Sequence, residues 1–262
     1  DPANEKFVHN EFGVNYKFGK LGLNASAYNT DWQDRNLTKS VTTGQGDSGD
    51  TDVIFLTGVN QKHSGLELET NYMVNDMLDL MFVASFGNWK FDGDANGNYQ
   101  ETEYNDAGQA IGYQTTEYAY ALDGLYVGDM PQTSYILGVT LRPIKDLSIQ
   151  AIHKMYDKNY SDWSPSAREF DGTNDDADRS QVWEAPSYNR LDLHMSYKLP
   201  KVKDLDMVLS AHIFNALDEV YVQDAVDNSQ YNGFGSKVHA AHNAEVFLGT
   251  PRYANIGLSI GF

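Results

Sequence analysis

The sequence has 262 residues, no cysteine and a formal net charge of −18. This acidic balance argues against binding to a phosphate backbone, which needs a basic face. No run approaches the roughly 18–20 apolar residues of a membrane helix. That argues against a helical membrane protein but not against a β-barrel, in which half of every strand faces a polar interior.

Nine segments alternate between apolar and polar residues, which is the pattern of a β-strand. Most are close to the roughly 9–11 residues that a tilted strand needs to cross a bilayer. In chain order they are Asn10–Phe18, Leu21–Trp32, Val53–Met73, Leu78–Asn88, Thr133–Leu141, Leu147–Tyr156, Ser187–Leu199, Leu205–Phe214 and Arg252–Phe262. We therefore predict an all-β protein built as an antiparallel meander.

The last segment, Arg252–Phe262, is the most informative one. Ile256, Leu258 and Ile260 share one face, and small or polar residues share the other. A strand that ends on a phenylalanine such as Phe262 resembles the final strand of bacterial outer-membrane barrels. An edge strand of a soluble β-sandwich has the same alternation, so this segment alone leaves both alternatives open.

The connections between the nine segments alternate in length. The short ones lie near 19–20, 74–77, 142–146 and 200–204, and the long ones are 33–52, 89–132, 157–186 and 215–251. Short turns at one end and long loops at the other are typical of an outer-membrane barrel, with periplasmic turns and extracellular loops. The long connections hold 25 of the 37 acidic and 7 of the 19 basic residues, so they carry the whole net charge. Two interpretations remain: solubilising loops, or an acidic vestibule that attracts cations.

The odd number of strands is informative, because bacterial single-chain barrels usually have an even number and begin and end on the same side. A nine-stranded sheet left open in lipid would expose unpaired backbone groups at its edges. We therefore expect residues 1–262 to be the C-terminal part of a larger barrel. The alternative is a small closed barrel with one more or one fewer strand.

Several stretches together resemble one family. They are the opening hairpin Asn10–Arg35, His63–Glu69 (H-S-G-L-E-L-E), Asp123–Gln132 (D-G-L-Y-V-G-D-M-P-Q), Pro186–Leu193 (P-S-Y-N-R-L-D-L) and Phe214–Tyr221 (F-N-A-L-D-E-V-Y). In order and spacing the chain resembles the C-terminal barrel portion of TonB-dependent outer-membrane transporters, of the kind common in Bacteroidota.

The resemblance implies a 22-stranded barrel in the outer membrane, with a plug domain and earlier strands that this chain lacks. It implies active, TonB-dependent uptake of a metal chelate, vitamin, oligosaccharide or peptide. The implied partners are outer-membrane lipid, the rest of the barrel and its plug, the TonB complex and a surface lipoprotein. The alternatives are a passive pore or adhesin, and a soluble secreted glycan-binding β-sandwich.

The second long connection contains a candidate calcium loop. Residues 92–103 match the pattern D-x-[DN]-x-[DN]-G-x5-E, in which oxygens at alternate positions converge on a hard cation. The candidate ligands are Asp92, Asp94, Asn96, Asn98 and Glu103. Loop tips rich in Asp, Asn and Gly also turn without metal, so the alternative is an ordinary loop.

Two further sets of side chains are candidates for binding. His239 and His242, with Glu245, could bind a transition metal, although a full ligand set is not defined. Aromatic residues of the long connections could stack on a ligand or could pack the loops together. They include Tyr104, Tyr113, Trp163, Trp183 and Tyr231.

Aromatic residues near the strand ends suggest the two interfacial girdles of a barrel. Trp32, Trp89 and Tyr156 are predicted to form the girdle on the side of the long connections. No catalytic motif is present, neither G-x-S-x-G nor H-E-x-x-H nor a phosphate-binding glycine loop. We therefore expect a protein that is not an enzyme.

Overall fold

The computed structural model describes residues 4–43, 50–170, 177–229, 231–233 and 235–261. The strands in these residues are β1 (Lys6–Phe18), β2 (Leu21–Thr43), β3 (Asp50–Asn75), β4 (Leu78–Phe91), β5 (Ala95–Tyr104), β6 (Ala110–Tyr120), β7 (Thr133–Leu141), β8 (Leu147–Asp157), β9 (Asn159–Tyr160), β10 (Glu169–Phe170), β11 (Glu184–Ala185), β12 (Tyr188–Lys198), β13 (Asp206–Phe214), β14 (Val222–Val226), β15 (Glu245–Leu248) and β16 (Tyr253–Gly261). One short helix, α1 (Pro165–Arg168), precedes β10.

No helix in the described ranges is long and apolar enough to cross a membrane.

The prediction of an antiparallel all-β fold is confirmed. The main sheet runs as a meander in the order β1, β2, β3, β4, β7, β8, β12, β13 and β16, each strand antiparallel to the next. Each of these strands overlaps one of the nine predicted segments, but the predicted count of nine strands is not confirmed. The same sheet also includes β5, β6 and β10, so it has twelve strands in the described residues.

Register confirms the predicted faces of the sheet. Leu209 of β13 lies opposite Leu258 of β16, and Ala211 lies opposite Ile256, so apolar residues meet apolar residues across the strands. On the other face Ser210 lies opposite Gly257. This cross-strand agreement gives the sheet one apolar face for lipid and one polar face for the interior.

The long connections are more ordered than the sequence predicted. The range 33–52 was predicted as a loop, but β2 and β3 continue into it and remain paired as far as Thr43 and Asp50. Two register shifts follow Trp32, and the chain resumes its pairing at Leu37. The range 89–132 likewise contains the β5–β6 hairpin. Both pairings join strands that follow one another in the chain, and the sequence analysis did not identify them.

The predicted aromatic girdle on the side of the long connections is wrong. Trp32 lies opposite Gln61, and Trp89 lies opposite His63. Both tryptophans are an odd number of residues from the lipid-facing positions of their strands, so they belong to the inner face. The indole N–H of Trp89 donates to the hydroxyl of Tyr28 at 2.9 Å, which keeps the ring there.

One buried carboxylate ties the last long connection to the wall. Asp192 of β12 accepts the backbone N–H of Asn215 and the ammonium of Lys154, both at 2.9 Å. The side-chain amide of Asn215 in turn donates to the carbonyls of Glu219 and Thr250. The start and the end of the connection are thus held at one point. This is the structural role of the P-S-Y-N-R-L-D-L and F-N-A-L-D-E-V-Y stretches.

The two outermost strands of the sheet have one free edge each. Among the described residues β1 pairs only with β2, and β16 pairs only with β13. A free edge in lipid costs several kcal/mol for each unpaired backbone group, by the order of magnitude for burying an unsatisfied amide.

The two faces respond differently to charge. Leu209→Arg places a cation on the lipid face near the middle of β13, and we expect it to cost roughly 2–4 kcal/mol of unfolding free energy in a bilayer. Ser210→Arg, the adjacent position on the inner face, is the matched control and should cost much less. Denaturant unfolding of the protein in lipid vesicles measures both variants. Equal losses would contradict the assignment of the faces.

Candidate functional site

The long connections pack against one another at one end of the sheet. Their buried cluster contains Ile54, Leu56, Val59, Phe91, Ala95, Tyr120, Leu122, Leu125, Tyr160, Trp163 and Val182. These residues come from β3, β4, β5, β6 and the segments around β9 and β11. The loops therefore form a packed structure that can hold side chains in fixed positions.

A cavity of about 360 Å³ lies between this packed structure and the inner face of the sheet. Its lining residues are Trp32, Arg35, Leu37, Thr38, Lys39, Gln61, His63, Trp89, Phe91, Val127, Gly128, Asp129, Met130, Asp162 and Trp163. Three of the four tryptophans of the chain are among them.

Trp89 is held by two hydrogen bonds of its backbone and by a contact of its ring. Its backbone N–H donates to the side-chain carbonyl of Gln132 at 2.9 Å, and the Gln132 amide donates back to the Trp89 carbonyl at 3.1 Å. The ring stacks on His63 with 5.4 Å between ring centres. Gln132 is buried, so its hydrogen bonds to the Trp89 backbone are shielded from water.

Two cations of the cavity lining lie beside tryptophan rings. The guanidinium of Arg35 lies 3.8 Å from the centre of the Trp32 ring, which is a cation–π contact. Lys39 pairs with Asp162 and lies 5.0 Å from the centre of the Trp163 ring. Burial lowers the pKa of Arg35, but an arginine keeps its charge at every physiological pH.

The V-G-D-x-P stretch forms the rim of the cavity. A Cβ on Gly128 would lie 2.6 Å from the backbone nitrogen of Asp162, so the two segments can approach this closely only with glycine there. Asp129 follows with a φ of 72°. Partial removal from solvent, together with the carboxylates of Asp162 and Asp224, raises the pKa of Asp129 to about 6.

The cavity combines flat rings, two cations and two carboxylates. Such a set suits binding of a small molecule with a flat face and a few charged groups, because apolar walls supply area and a few polar groups supply orientation. Of this set, the sequence analysis named only Trp163 as a candidate for ligand binding, and it assigned Trp32 and Trp89 to an interfacial girdle. The spacing along the strands could have located the other two tryptophans. Trp32 and Trp89 each lie an odd number of residues from the apolar positions of their strand, which places them on the inner face.

The predicted loop aromatics do not form one site. Trp163 is 1% exposed and packs in the loop cluster at the cavity wall. Tyr113 on β6 and Tyr231 are 70% and 75% exposed. Trp183 is half-buried next to β11, and the backbone of Tyr104 ends β5. Ligand contact by these residues stays a prediction.

The predicted calcium ligands are spread along an extended segment. Residues 95–104 form β5, which pairs with β6 and in part with β3, so Asn98 and Glu103 are roughly 17 Å apart at the rise of a strand. Asp92 pairs with Lys62 at 2.8 Å, and both oxygens of Asp94 accept the guanidinium of Arg179. In the part of the chain that the structure describes, no contact brings the five residues together. Calcium binding there stays a prediction.

His239 lies in a buried ionic cluster. Its Nδ1 lies 2.5 Å from Asp227 Oδ2 and its Nε2 lies 2.8 Å from Asp178 Oδ2. Arg168, which is 0% exposed, contacts Asp178 and Asp227 as well. Among the described residues, no group of three or more His, Cys, Asp or Glu side chains is arranged to hold a metal. The cluster joins the third long connection to the fourth.

A family model for the TonB-dependent receptor-like β-barrel matches residues 5–216. The chain belongs to the TonB-dependent receptor β-barrel family. Members of this family are outer-membrane proteins and transporters rather than enzymes.

Solved receptors have a similar fold. The copper transporter OprC gives a TM-score of 0.59 at 16% identity over 98% of this chain and 31% of its own. The siderophore receptor PiuA from Acinetobacter baumannii gives a TM-score of 0.55 at 17% identity, over 96% of this chain and 28% of its own. The closed form of the ferric-catecholate import receptor Fiu from E. coli K12 gives a TM-score of 0.54 at 12% identity, over 98% of this chain and 28% of its own.

The receptor barrel described here spans less than a third of the length of each of these structures. Identities this low show the shared fold alone. No curated protein shows significant sequence similarity to the chain.

Because the ionic cluster contains a histidine, we predict that the attachment of the third long connection to the fourth depends on pH. Burial lowers the pKa of His239, but hydrogen bonds to Asp227 and Asp178 outweigh it, so the net shift is upward. The stabilisation is therefore complete below the ordinary histidine pKa of about 6.5 and is lost as pH rises through the raised pKa. The pKa of Asp178 is lowered, since burial is outweighed by hydrogen bonds from His239 and Ser180.

Limited proteolysis of the receptor between pH 5 and pH 9 tests this attachment. We expect cleavage within 177–186 and 235–243 to accelerate several-fold towards the alkaline end. His239→Gln should be cleaved at a rate that varies little over this range, and the exposed His242→Gln should behave as the wild type. A wild-type rate that does not change with pH would contradict the prediction.

Proposed function

We propose that this chain is the C-terminal part of a receptor barrel that takes up a nutrient across the outer membrane. Family membership supports this proposal. In the complete receptor, strands outside the chain would pair with β1 and β16, and a plug domain would fill the interior and contact TonB. A surface lipoprotein partner stays a prediction.

The free edges of β1 and β16 support the larger barrel, because a bilayer does not tolerate unpaired edges. The share of the solved receptors that the chain spans is consistent with the same reading. A barrel of 22 strands would leave about thirteen strands to the rest of the protein.

The cavity on the inner face is the proposed contribution of this chain to ligand capture. The single observation that carries this proposal is the convergence of Trp32, Trp89 and Trp163 on one cavity. The indole N–H of Trp163 is buried and has no hydrogen-bond partner among the described residues. Arg35 and Lys39 add positive charge to the cavity lining, which also contains the carboxylates of Asp129 and Asp162.

These features favour a ligand with a flat ring and limited negative charge. A metal chelate with aromatic groups has this chemistry, and PiuA and Fiu are named as siderophore and ferric-catecholate receptors. The rings stack on indoles, and a carboxylate or phenolate oxygen pairs with the cations.

Removal of one ring tests the site. We expect Trp89→Ala in the full-length receptor to weaken binding of a ferric catecholate about tenfold or more, because one stacking contact contributes roughly 1–3 kcal/mol. Trp183→Ala removes the fourth tryptophan, which lies outside the cavity, and should leave the affinity unchanged. Quenching of tryptophan fluorescence during titration measures both variants.

An oligosaccharide is the comparison ligand in the same titration. Binding of the saccharide but not of the catecholate, lost in Trp89→Ala, would overturn the ligand class and keep the site. Equal affinities of wild type and Trp89→Ala for every ligand that binds would overturn the site itself.

A further inference from the structure

Two histidines face each other on the inner wall, away from the cavity. His194 of β12 lies directly opposite His212 of β13 in the register of the sheet. Both are in the interior part of their strands and both are half-buried. Their Nδ1 atoms are 2.8 Å apart.

This spacing is that of two ligands of one metal ion. Imidazole nitrogens bind a first-row metal at roughly 2.0–2.1 Å, so two nitrogens at a right angle around the metal are about 2.9 Å apart. Antiparallel pairing fixes the two strands, so the pair is held near this geometry before any metal arrives. We propose that His194 and His212 form a chelating site for a transition-metal cation of the kind that prefers imidazole, such as Cu²⁺.

A change of tautomer frees both Nδ1 atoms for a metal without removing a proton from either neutral ring. In the apo pair one Nδ1 must donate and the other accept, because two lone pairs would repel each other at 2.8 Å. If both neutral rings carry their proton on Nε2, both Nδ1 lone pairs become available. Metal binding therefore replaces one hydrogen bond with two metal–nitrogen bonds at neutral pH.

The surroundings leave one side of the pair accessible. The next positions along the strands towards the short turns are Ser196 and Ser210, which are small. On the other side the ring of Phe214 lies 5.4 Å from that of His194 and 6.1 Å from that of His212. Aromatic contact restrains the imidazoles, and the small residues leave room for water on the metal.

The nearest carboxylate is not available as a third ligand. Asp192 is 1% exposed and already accepts Lys154 and the Asn215 N–H. Among the described residues no third His, Cys, Asp or Glu completes a group around the pair. The protein therefore supplies two ligands, and water or a bound molecule supplies the others. A site with open positions exchanges its metal readily, unlike a closed structural site.

The test is titration of the full-length receptor in detergent with Cu²⁺, followed by electron paramagnetic resonance. The wild type should show one Cu²⁺ with hyperfine splitting from two equivalent nitrogens. His194→Gln and His212→Gln should each bind this Cu²⁺ at least roughly tenfold more weakly, because the second imidazole acts at a high effective concentration. The double variant should lose little more than either single variant.

His153→Gln is the matched control. His153 lies on β8 opposite Leu191, on the other face of the sheet, where it contacts Asn189. Heat-modifiable migration of each variant establishes that the barrel is folded. A two-nitrogen signal that survives in the folded double variant, or that is lost equally in His153→Gln, would overturn the proposal. So would a wild type without such a signal.

The histidine proposal is separable from the proposed ligand site. Catecholate binding measured by tryptophan fluorescence should be unchanged in His194→Gln. If His194→Gln loses the Cu²⁺ signal but still binds the catecholate, the metal site is supported whatever nutrient the receptor transports.

Discussion

The architecture depends on one constraint: a backbone N–H or C=O in the bilayer must be bonded within the protein. Strands satisfy this constraint only through their neighbours, so the pairing of the sheet decides everything that follows. In the meander from β1 to β16 each inner strand is bonded on both sides, and the alternation of side chains gives one face to lipid and the other to the interior. The outermost edges, on β1 and β16, are where we propose that strands outside the chain complete the pairing.

The wall also positions the functional groups above it. Asp192 and Asn215 hold the last connection at the end of β12 and β13, and the Arg168 cluster joins it to the preceding connection. Gln132 holds Trp89 against the inner face. The cavity is therefore built from two parts of the protein. Trp32 and Trp89 come from the inner face of the strands, and Trp163 and Asp162 come from the packed connections.

The sequence predicted the wall well and the loops poorly, for a physical reason. Alternation is a local property, so Leu205–Phe214 and Arg252–Phe262 could be recognised as strands with the correct faces before their pairing was known. The pairing of β5 with residues 55–57 and the meeting of Arg168 with Asp227 join residues far apart in the chain. No local pattern encodes these contacts. Residues 92–103 match a calcium-loop motif in the sequence. In the structure most of them form strand β5, because they pair with β6.

The most direct test of this account is the distance between the two edges in the native outer membrane. Spin labels at Val14→Cys and Leu258→Cys lie on the lipid faces of β1 and β16, and this chain contains no other cysteine. A larger barrel closed by strands outside the chain predicts a separation above roughly 20 Å, since barrel diameter grows with strand number. A separation below about 10 Å would mean that β1 and β16 are neighbours at the spacing of paired strands, and it would contradict the account.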